Sequence, residues 1–552
     1  MNRVVLVRRG EGGVEARECG DDGATPRSTR LAAADLAGYV REREREPVRW
    51  VWDDTTRWYP ALLDAGVRVE RCTDLRLGHA LLRRSPLVDQ GLLVGSDTPG
   101  WDALQPVTAA DPALFQLDDP ADLLDPVGEH ARQQAALEAS RERGRLGLLL
   151  AAESSGALVA AEMTHAGLPW RADVHGRLLA ELLGPRPAAG ARPATLERLL
   201  AGIRPALGAP DLNPDSPGEL LRALQGAGLP VTDTRSWTLE QLEHPAVPAL
   251  LEYKKLSRLL QANGWNWLDT WVRDGRFRSW FLPGGVVTGR WAATGGGALS
   301  VPTQIRPAAV ADEGWRFVVA DVAQLEPRVL AGMSGDVAMA EAARSSDLYE
   351  GMVAAGAVTS RAEAKVGMLG ALYGATRGES GRMMPRLTRR YPRAIGLVEE
   401  AARAGERGEV VRTLLGRGSP RPGRSGGNPD EPGEPPGAAE PAADRDRHRR
   451  AWGRFTRNFV VQGTGAEWAL CWLADLRNRL WRLGASGTVE QRPHLVFFLH
   501  DEVVVHTPEQ LTDRVVEEVR LAAAEAGRLL FGAFPIDFPL DVAVVRSWAD
   551  AG

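Results

Sequence analysis

Two short stretches far apart in the chain place carboxylates where they could hold a metal ion. Asp321 follows a run of β-preferring residues, 317–320, and a helix-like segment opens a few positions later. Asp501 lies in His500-Asp501-Glu502, between two apolar runs that have the form of a tight hairpin. A carboxylate at the mouth of a strand can hold Mg²⁺, but one Asp cannot supply the charge needed to bind phosphates through a metal pair. We therefore expect Asp321 and Asp501 to meet in the folded chain.

Three motifs, in order along the chain, carry a family resemblance. They resemble motifs A, B and C of the DNA polymerase I family (family A), and they read Asp321-x-x-Gln324-Leu325-Glu326-x-Arg328, Arg361-x-x-x-Lys365-x-x-x-Leu369-x-x-x-Tyr373-Gly374 and His500-Asp501-Glu502. Each motif alone also has an ordinary structural interpretation, as a helix start, a solvated helix face or a hairpin turn. The ordered set of three favours the family.

The resemblance implies an α+β multidomain fold. We expect a right-hand polymerase with an antiparallel palm sheet and a helical thumb and fingers at 136–552, preceded at 1–135 by a small α/β ribonuclease H-like domain of the exonuclease type. The thumb is expected at about 170–287, the palm at about 288–345 and 458–552, and the fingers at about 346–457. The segment 417–444 is rich in Pro and Gly and has no apolar periodicity, which predicts a disordered insertion in the fingers.

The resemblance also implies the chemistry, which is template-dependent addition of dNMP to a primer 3′-hydroxyl. Asp321 and Asp501 are then the metal ligands and bridge two Mg²⁺ ions about 3.5 to 4 Å apart, with Mn²⁺ as an alternative ion. Glu502 supports them. Arg361 and Lys365 neutralise the triphosphate, and Lys365 is the candidate acid because a Lys can be tuned to release its proton while an Arg essentially cannot.

Further residues take roles at the incoming nucleotide by the same resemblance. Gln324 belongs to motif A, and Glu326 lies beneath the sugar and excludes a 2′-hydroxyl. Tyr349 stands where bacterial relatives carry a histidine, and Tyr373 lies near the template base. Position 369 is where the family places Phe or Tyr against the incoming base, and Leu369 puts that stacking in doubt.

Primer-template DNA is the expected partner, together with dNTPs. Arg290 lies in a Thr-Gly-Arg element that reaches the minor groove at the primer end, which His500 also contacts. The helix predicted at 251–262 presents basic residues to the duplex backbone, where phosphate contacts do not read sequence. A palm helix places three polar side chains one turn apart on one face. The basic residues of the helix at 251–262 are Lys254 and Lys255. The polar residues of the palm helix are Arg454, Asn458 and Gln462.

Composition bounds the remaining properties. The net charge of −5 argues against a protein that coats nucleic acid indiscriminately, but not against a basic groove. Cys19, Cys72 and Cys471 form no CxxC pair, and the nine histidines show no metal spacing. The sequence has no apolar run of 18 residues and no signal-peptide core, so we expect a cytoplasmic, nucleoid-associated monomer without a membrane partner.

The N-terminal domain departs from the proofreading 3′→5′ exonuclease that residues 58–84 resemble. That nuclease needs four carboxylates to hold two metals, beginning with Asp-x-Glu after its first strand. Here the predicted strand 4–7 is followed by two arginines, Asp53-Asp54-Thr55 lacks the Glu, and only Asp74 matches. We therefore expect a degenerate exonuclease fold without activity.

Three alternatives stay open at this point. A single-subunit RNA polymerase could share the aspartates, although Glu326 favours deoxyribonucleotides. A proofreading nuclease without synthesis is disfavoured because the acids are lost in the N-terminal domain. A protein that binds primer-template without catalysis is disfavoured by the presence of Asp321, Asp501, Arg361 and Lys365.

Overall fold

The computed structural model describes residues 2–9, 13–19, 27–107, 123–297, 301–374, 378–422, 442–484 and 486–552, with the side chains of 19, 379, 442 and 443 left aside. The chain forms two compact units. The larger unit comprises Met1–Ala166, Trp280–Ala292 and Gly314–Val544, and the smaller one comprises Gly167–Ser279, Ala293–Glu313 and Val545–Gly552.

The larger unit begins with an α/β layer. Its elements are β1 (Asn2–Arg9), β2 (Gly13–Cys19), β3 (Arg27–Ala32), α1 (Leu36–Arg43), β4 (Val48–Trp52), α2 (Thr55–Asp64), β5 (Cys72–Asp74), α3 (Leu75–Arg84), α4 (Thr98–Ala103), α5 (Pro126–Ala139) and α6 (Arg143–Ala166). The sheet order is β3-β2-β1-β4-β5, in which β1, β4 and β5 are parallel and β1, β2 and β3 antiparallel. The run Val4–Val7 is buried on both faces of this sheet, which confirms the strand predicted there.

Helix α6 is a core helix of the larger unit. By length and composition alone it could cross a membrane, since an 18-residue window has a mean hydropathy of 1.4, but 67% of that window is buried within the protein. It also carries two buried carboxylates, and each is paired with an arginine: Glu153 with Arg417 at 2.6 Å and Glu162 with Arg477 at 2.6 Å.

The smaller unit is largely helical. Its elements are β6 (Leu168–Pro169), α7 (Ala172–Leu183), α8 (Ala194–Ala206), α9 (Pro217–Gly226), α10 (Ser236–Leu239), α11 (Ala246–Asn263), α12 (Trp265–Trp271), β7 (Val272–Arg273) and β8 (Arg276–Phe277). The Ser216 hydroxyl accepts a hydrogen bond from the backbone N–H of Glu219 at 3.4 Å and so caps α9. Helix α11 contains the predicted basic helix, with Leu250, Tyr253 and Leu256 buried.

The rest of the larger unit surrounds a second sheet. Its elements are β9 (Trp280–Leu282), β10 (Ala292–Thr294, which continues into the smaller unit), β11 (Trp315–Val322), α13 (Leu325–Ser334), α14 (Val337–Ala342), α15 (Leu348–Ala354), α16 (Arg361–Tyr373), α17 (Gly378–Arg390), α18 (Pro392–Glu406), α19 (Ala442–Leu483), β12 (His494–Leu499), β13 (Glu502–Pro508), α20 (Thr512–Phe531) and β14 (Leu540–Val545). The sheet order is β12-β13-β11-β14, with β13 antiparallel to both β12 and β11. The predicted strand before Asp321 and the predicted hairpin around Asp501 are both present.

The prediction of a disordered insertion at 417–444 is wrong at both ends of that segment. At the first end, the Arg417 side chain is 8% exposed, pairs with Glu153 and donates its backbone N–H to the Thr413 hydroxyl at 2.9 Å. A buried ion pair of this kind fixes the chain through Arg417, and the backbone is described as far as 422. At the second end, α19 begins at Ala442 instead of the expected 445. Residues 423–441 lie outside the described part of the chain.

A buried cluster around Arg477 joins the N-terminal layer to α19. The side chain of Arg477 is 2% exposed and donates hydrogen bonds to Glu162 at 2.6 and 2.8 Å, to the Tyr59 hydroxyl at 3.2 Å and to the Glu70 carbonyl at 2.9 Å. Tyr59 in turn donates to Glu162 at 2.6 Å. Because a buried charge is tolerated only when it is paired and hydrogen-bonded, this cluster holds α2, α6 and α19 in one arrangement.

Candidate active site

Strand pairing brings the two predicted metal ligands to one edge of the second sheet. Asp321 is the register partner of Glu502 across β11 and β13, and the backbone N–H of Val322 donates to the Asp501 carbonyl at 3.1 Å. The turn between β12 and β13 is tight: His500 has a φ of 56°, and the Asp501 N–H donates to the Leu499 carbonyl at 2.7 Å. The hairpin therefore presents Asp501 directly beside the end of β11, as expected from the sequence.

The charges at this edge repel one another. Burial raises the pKa of Asp321 to about 7, and the negative charges of Asp501 and Glu502 act in the same direction. Asp541 on β14 adds to this effect. Burial also raises the pKa of Asp501, against the opposing effects of its own backbone N–H and of the Arg290 guanidinium. A group of carboxylates whose charges repel one another favours binding of a cation.

The donor set fits an ion that binds through few protein ligands. Among the described residues no three His, Cys, Asp or Glu side chains form a ready metal cage. Mg²⁺ is commonly held by one or two carboxylates together with substrate phosphates and water, which is what Asp321 and Asp501 can offer. The buried Cys72 and Cys471 lie on β5 and α19, and neither thiol belongs to this group of carboxylates.

A cavity of about 260 Å³ opens beside Asp501, and Asp321 is not among its lining residues. It brings together seven residues that the sequence assigned to the site, namely Arg290, Gln324, Glu326, Tyr349, Gln462, His500 and Asp501. Burial, with a contribution from Arg290, lowers the pKa of His500 to about 4, so this imidazole is neutral near pH 7. Apolar side chains, including Trp291 and Phe498, form the remaining wall.

Glu326 is hydrogen-bonded to two residues from different parts of the chain. Its carboxylate accepts a hydrogen bond from Arg290 Nη2 at 2.6 Å and another from the Tyr373 hydroxyl at 3.2 Å. Glu326 therefore stands between the Thr-Gly-Arg element and the end of α16. Burial and the Glu326 charge raise the pKa of Tyr373 to about 12, which keeps this hydroxyl protonated as the donor.

Helix α16 presents the predicted motif B stripe to solvent. Arg361, Lys365, Leu369 and Tyr373 are all exposed, whereas the intervening positions 364, 367, 368, 371 and 372 are buried. The Ser360 hydroxyl caps the helix by accepting from the Glu363 N–H at 3.2 Å, and Gly374 ends it at a φ of 75°. Residues 361, 365 and 369 do not line the cavity beside Asp501. The stripe is thus placed as expected, but three of its members stand outside that cavity.

Arg361 forms an ion pair with Asp347, a residue to which the sequence motifs assigned no role. Its Nε atom donates to Asp347 at 2.8 Å, and its guanidinium lies 5.7 Å from the centre of the Tyr349 ring. Asp347 also caps α15 by accepting from the backbone N–H groups of Tyr349 and Glu350. An aspartate just before a helical pattern was the available signal for the cap. The ion pair with Arg361 depends on packing that spacing alone does not reveal.

Gln324 and Arg328 organise the turn after β11. Gln324 has a φ of 49°, and its side-chain oxygen accepts from the Leu348 N–H at 3.0 Å. Arg328 is fully buried and donates to five backbone carbonyls, those of residues 323, 343, 345, 346 and 537. No role was assigned to Arg328 from the sequence. Its contacts make it the residue that joins the start of α13 to the segments before α15 and β14.

The three residues predicted on α19 differ in exposure. Arg454 is exposed, Asn458 is partly buried, and Gln462 is 9% exposed and reaches the cavity. In the smaller unit, Lys255 is exposed beside Glu252, while Lys254 donates to the Thr234 carbonyl at 2.7 Å. Lys254 is therefore less available to a phosphate than its position on a basic face suggested.

The acidic residues of the N-terminal layer are occupied by the fold. Asp53, Asp54 and Asp74 are all buried. Asp74 accepts from the backbone N–H of Thr55 at 2.8 Å and from that of Leu77 at 2.9 Å, and so caps α3. Asp54 caps α2 in the same manner and pairs with Arg76 at 2.8 Å. Asp53 accepts from the Asp54 N–H and the Trp58 indole through one oxygen. With their oxygens accepting from backbone N–H groups and Arg76, Asp54 and Asp74 are poor candidates for a metal site.

Comparison with known proteins agrees with this geometry. The family model for DNA polymerase family A matches residues 194–550. A thermostable DNA polymerase I from Thermus filiformis is 29% identical over 354 residues, which is 58% of this chain and 38% of the relative. A DNA polymerase I from Pseudomonas aeruginosa is 26% identical over 309 residues, 50% of this chain and 30% of the relative. The chain thus spans less than two-fifths of the length of these curated relatives.

The fold is also that of a solved structure. The polymerase domain of Pol1 from M. smegmatis, in complex with DNA primer-template and dNTP, superposes with a TM-score of 0.69 at 20% identity, over 99% of this chain and 95% of that one. This confirms the predicted α+β polymerase fold. Together with the ordered motifs and the paired aspartates, the match of the family model over more than half of the residues establishes that the chain belongs to DNA polymerase family A.

Proposed function

We propose that the protein is a DNA-directed DNA polymerase that adds dNMP to a primer 3′-hydroxyl under the direction of a template. The observation that carries this proposal is the convergence of Asp321 and Asp501 at one sheet edge beside the cavity that Glu326 and Gln462 line. Membership of family A and the likeness to a polymerase domain solved with primer-template and dNTP support it.

Family A DNA polymerases use divalent metal ions, and Asp321 and Asp501 are the residues of this chain that would hold them. We propose two Mg²⁺ ions, with Mn²⁺ as a substitute. When bound, such a pair lowers the pKa of the attacking hydroxyl and binds the triphosphate and the departing pyrophosphate. Glu502, the register partner of Asp321, contributes negative charge without being a necessary ligand.

The remaining side chains position the nucleotide and move protons. Arg361 and Lys365 on the exposed stripe of α16 neutralise the triphosphate, and Lys365 donates the proton that the pyrophosphate takes up. Glu326, held by Arg290 and Tyr373, forms the wall against a 2′-hydroxyl. Leu369 and Tyr373 face the base pair. Gln324 and Tyr349 line the cavity beside Asp501 and support the nucleotide there.

The side chains that bind DNA contact its sugar-phosphate backbone and its minor groove, and they do not read the edges of the bases. Arg290 and the neutral His500 lie at the cavity where the primer end is expected. Gln462, Asn458 and Arg454 continue outward along α19. In the smaller unit the exposed Lys255 contacts phosphates, and Lys254, whose ammonium group donates to the Thr234 carbonyl, supports it with its charge. Base choice then comes from pairing with the template, which requires few contacts to base edges.

We further propose that the protein lacks proofreading activity and acts in DNA repair or replication as a cytoplasmic, nucleoid-associated monomer. The burial of Asp53, Asp54 and Asp74 supports the absence of 3′→5′ exonuclease activity. A labelled single strand incubated with the protein and Mg²⁺ should remain intact. Shortening of that strand, lost on replacing Asp74, would contradict this part of the proposal.

Primer extension with Mg²⁺, omitting one dNTP at a time, tests the main proposal. Extension should stop where the omitted nucleotide is required, and NTPs should not replace dNTPs. Asp501→Ala should abolish synthesis while leaving primer-template affinity nearly unchanged, whereas Asp513→Ala on the exposed start of α20 should leave both intact. Equal loss of synthesis and of DNA affinity in Asp501→Ala would contradict the metal role. Efficient extension with NTPs would favour an RNA polymerase.

A further inference from the structure

A second polar cavity lies in the N-terminal layer, outside the polymerase site. Its volume is about 150 Å³, and it lies between one face of the first sheet and the helices α3, α5 and α6. Nothing in the proposed polymerase chemistry uses it. Its polar lining comprises Arg3, Arg49, Thr73 and Asp74 on the strands, Gln133 and Gln134 on α5, and Ser154 on α6. The Gln133 amide already donates to the Leu75 carbonyl and to Glu129, and the Ser154 hydroxyl donates to the Leu150 carbonyl.

Strand register places the two arginines side by side. Arg3 on β1 and Arg49 on β4 are direct partners in the parallel pairing, so their side chains leave the same face of the sheet. Neighbouring strands lie about 4.8 Å apart, so the two side chains start from adjacent backbone positions, and both line the cavity. Burial lowers the pKa of Arg49, and the charges of Arg71 and Arg3 lower it further. The charge of Arg3 thus disfavours the charged form of Arg49.

Arg49 lacks a carboxylate to offset this repulsion. Its recorded hydrogen bond goes to the Cys72 carbonyl at 3.0 Å, and no acidic side chain in the described ranges forms an ion pair with it. Asp74 is the carboxylate in the cavity lining, but both of its oxygens accept backbone N–H groups, and burial raises its pKa to about 6. Partly buried cations are costly unless an anion or a dense set of acceptors compensates them.

A third basic group faces the same arginines. His130 lies on α5 one turn before Gln133 and Gln134, its side chain is 7% exposed, and its Nδ1 atom has no hydrogen-bond partner. Burial lowers the pKa of His130 to about 4, and the charges of Arg3 and Arg49 act in the same direction. The region therefore combines two charged donors with a nearby buried imidazole that still has a ring nitrogen to offer.

We propose that this cavity is a binding site for a compact phosphate anion, either inorganic phosphate or pyrophosphate. Two guanidinium groups that line one cavity can bind a tetrahedral oxyanion through paired, charge-assisted hydrogen bonds. Thr73 and Gln134 add neutral polar groups to the lining. The volume of about 150 Å³ leaves room for a phosphate or a pyrophosphate.

Binding is tested with the full chain by isothermal titration calorimetry and thermal unfolding, in EDTA so that metal-dependent binding at Asp321 and Asp501 is suppressed. Phosphate and pyrophosphate are titrated at constant ionic strength, with chloride as the reference salt and dAMP as a probe for a nucleotide. Saturable binding of one anion per chain is expected, and Asp501→Asn should retain it. Signals that are no larger than for chloride, or binding that is lost in Asp501→Asn, would overturn the proposal.

Two variants locate the site. Arg49→Gln should weaken binding at least tenfold, whereas Arg45→Gln, which removes an exposed arginine paired with Glu42, should leave it unchanged. Gln134→Glu places a negative charge in the lining without altering the sheet, and it should weaken binding even if Arg49→Gln fails to fold. Binding of unchanged affinity in Gln134→Glu would refute the site. Tighter binding of dAMP than of phosphate would refute the compact anion as its ligand.

Discussion

Replacing Asp321 by Asn should remove synthesis and, in the absence of divalent metal, make the protein more stable. The folded chain raises the pKa of Asp321 from 3.8 to about 7, through burial and the nearby charges of Asp501, Glu502 and Asp541. A carboxyl whose pKa is higher in the folded than in the unfolded state binds more protons when folded. Stability therefore falls as the pH rises from about 4 to about 7, and the loss is complete above that range.

The magnitude follows from the two pKa values. They differ by about 3, and each pKa unit corresponds to about 1.4 kcal/mol, which gives an upper limit of about 4 kcal/mol. Asp321 is exposed at the end of β11, although the surrounding protein excludes part of the water around its carboxyl group, and solvent screens such interactions strongly. We therefore expect Asp321→Asn to gain about 1 kcal/mol at pH 8 and almost nothing at pH 4.

Urea unfolding in EDTA at pH 4 to 8 measures this difference, with Asp513→Asn as the control for loss of one exposed carboxylate. Added Mg²⁺ should stabilise the wild type and narrow its gap to Asp321→Asn, because an ion that binds only the folded state shifts the unfolding equilibrium. A variant that is less stable than the wild type at pH 8 in EDTA would refute the repulsion. A gap of equal size at pH 4 and pH 8 would show that titration of Asp321 is not its cause.

Three further predictions concern the nucleotide site and the core. Leu369→Phe restores an aromatic face on the exposed stripe of α16, and it should lower the KM for dNTP about two- to tenfold in single-nucleotide incorporation, since an aromatic contact adds roughly 0.5–1.5 kcal/mol. Asp347→Asn keeps a helix-capping side chain but releases Arg361 from its ion pair, so the KM for dNTP should fall severalfold, more at low salt than at high salt. Glu162→Gln leaves the buried Arg477 charge without its partner and should lower the free energy of unfolding by about 3–5 kcal/mol in urea.

Each of these outcomes has a contrary result. A higher KM in Asp347→Asn would mean that Asp347 positions Arg361 for the triphosphate instead of competing for it. An unchanged KM in Leu369→Phe would place that residue away from the incoming base. Glu518→Gln, which removes a partner of the more exposed Arg479, serves as the control for Glu162→Gln. A loss of stability as large in that control would show that the buried Glu162–Arg477 pair contributes no more to stability than the more exposed pair.

Local patterns predicted the elements that carry the site. The apolar run before Asp321, the paired runs around Asp501 and the four-residue steps of motif B each encode one element, and the structure has all three. The two aspartates converge because two strands that are far apart in the sequence pair with each other. The order of the motifs implied this pairing, but no local sequence pattern could predict it. The same limit explains why the charge of Asp541 on β14 was missed: its effect on Asp321 depends on which strands become neighbours.

Two other predictions differ from the structure because tertiary contacts outweigh what the local sequence suggested. The segment from Arg417 looked disordered because it is rich in Pro and Gly, but its first residue forms a buried ion pair with Glu153, 264 positions earlier in the chain. Lys254 lies on a basic helix face as expected, yet its ammonium group donates to the Thr234 carbonyl. In each case the chain offers a partner that spacing along the sequence cannot identify.

The Arg477 cluster bears on what the N-terminal layer contributes to the larger unit. Arg477 belongs to α19, the helix that also carries Gln462 into the cavity beside Asp501, and several of its acceptors, among them Tyr59 and the Glu70 carbonyl, come from the first 135 residues. Truncation before α5 would strip a buried guanidinium of those acceptors and admit water beside this helix. Whatever chemistry the N-terminal layer performs, it supplies buried contacts on which the folding of the rest of the larger unit depends.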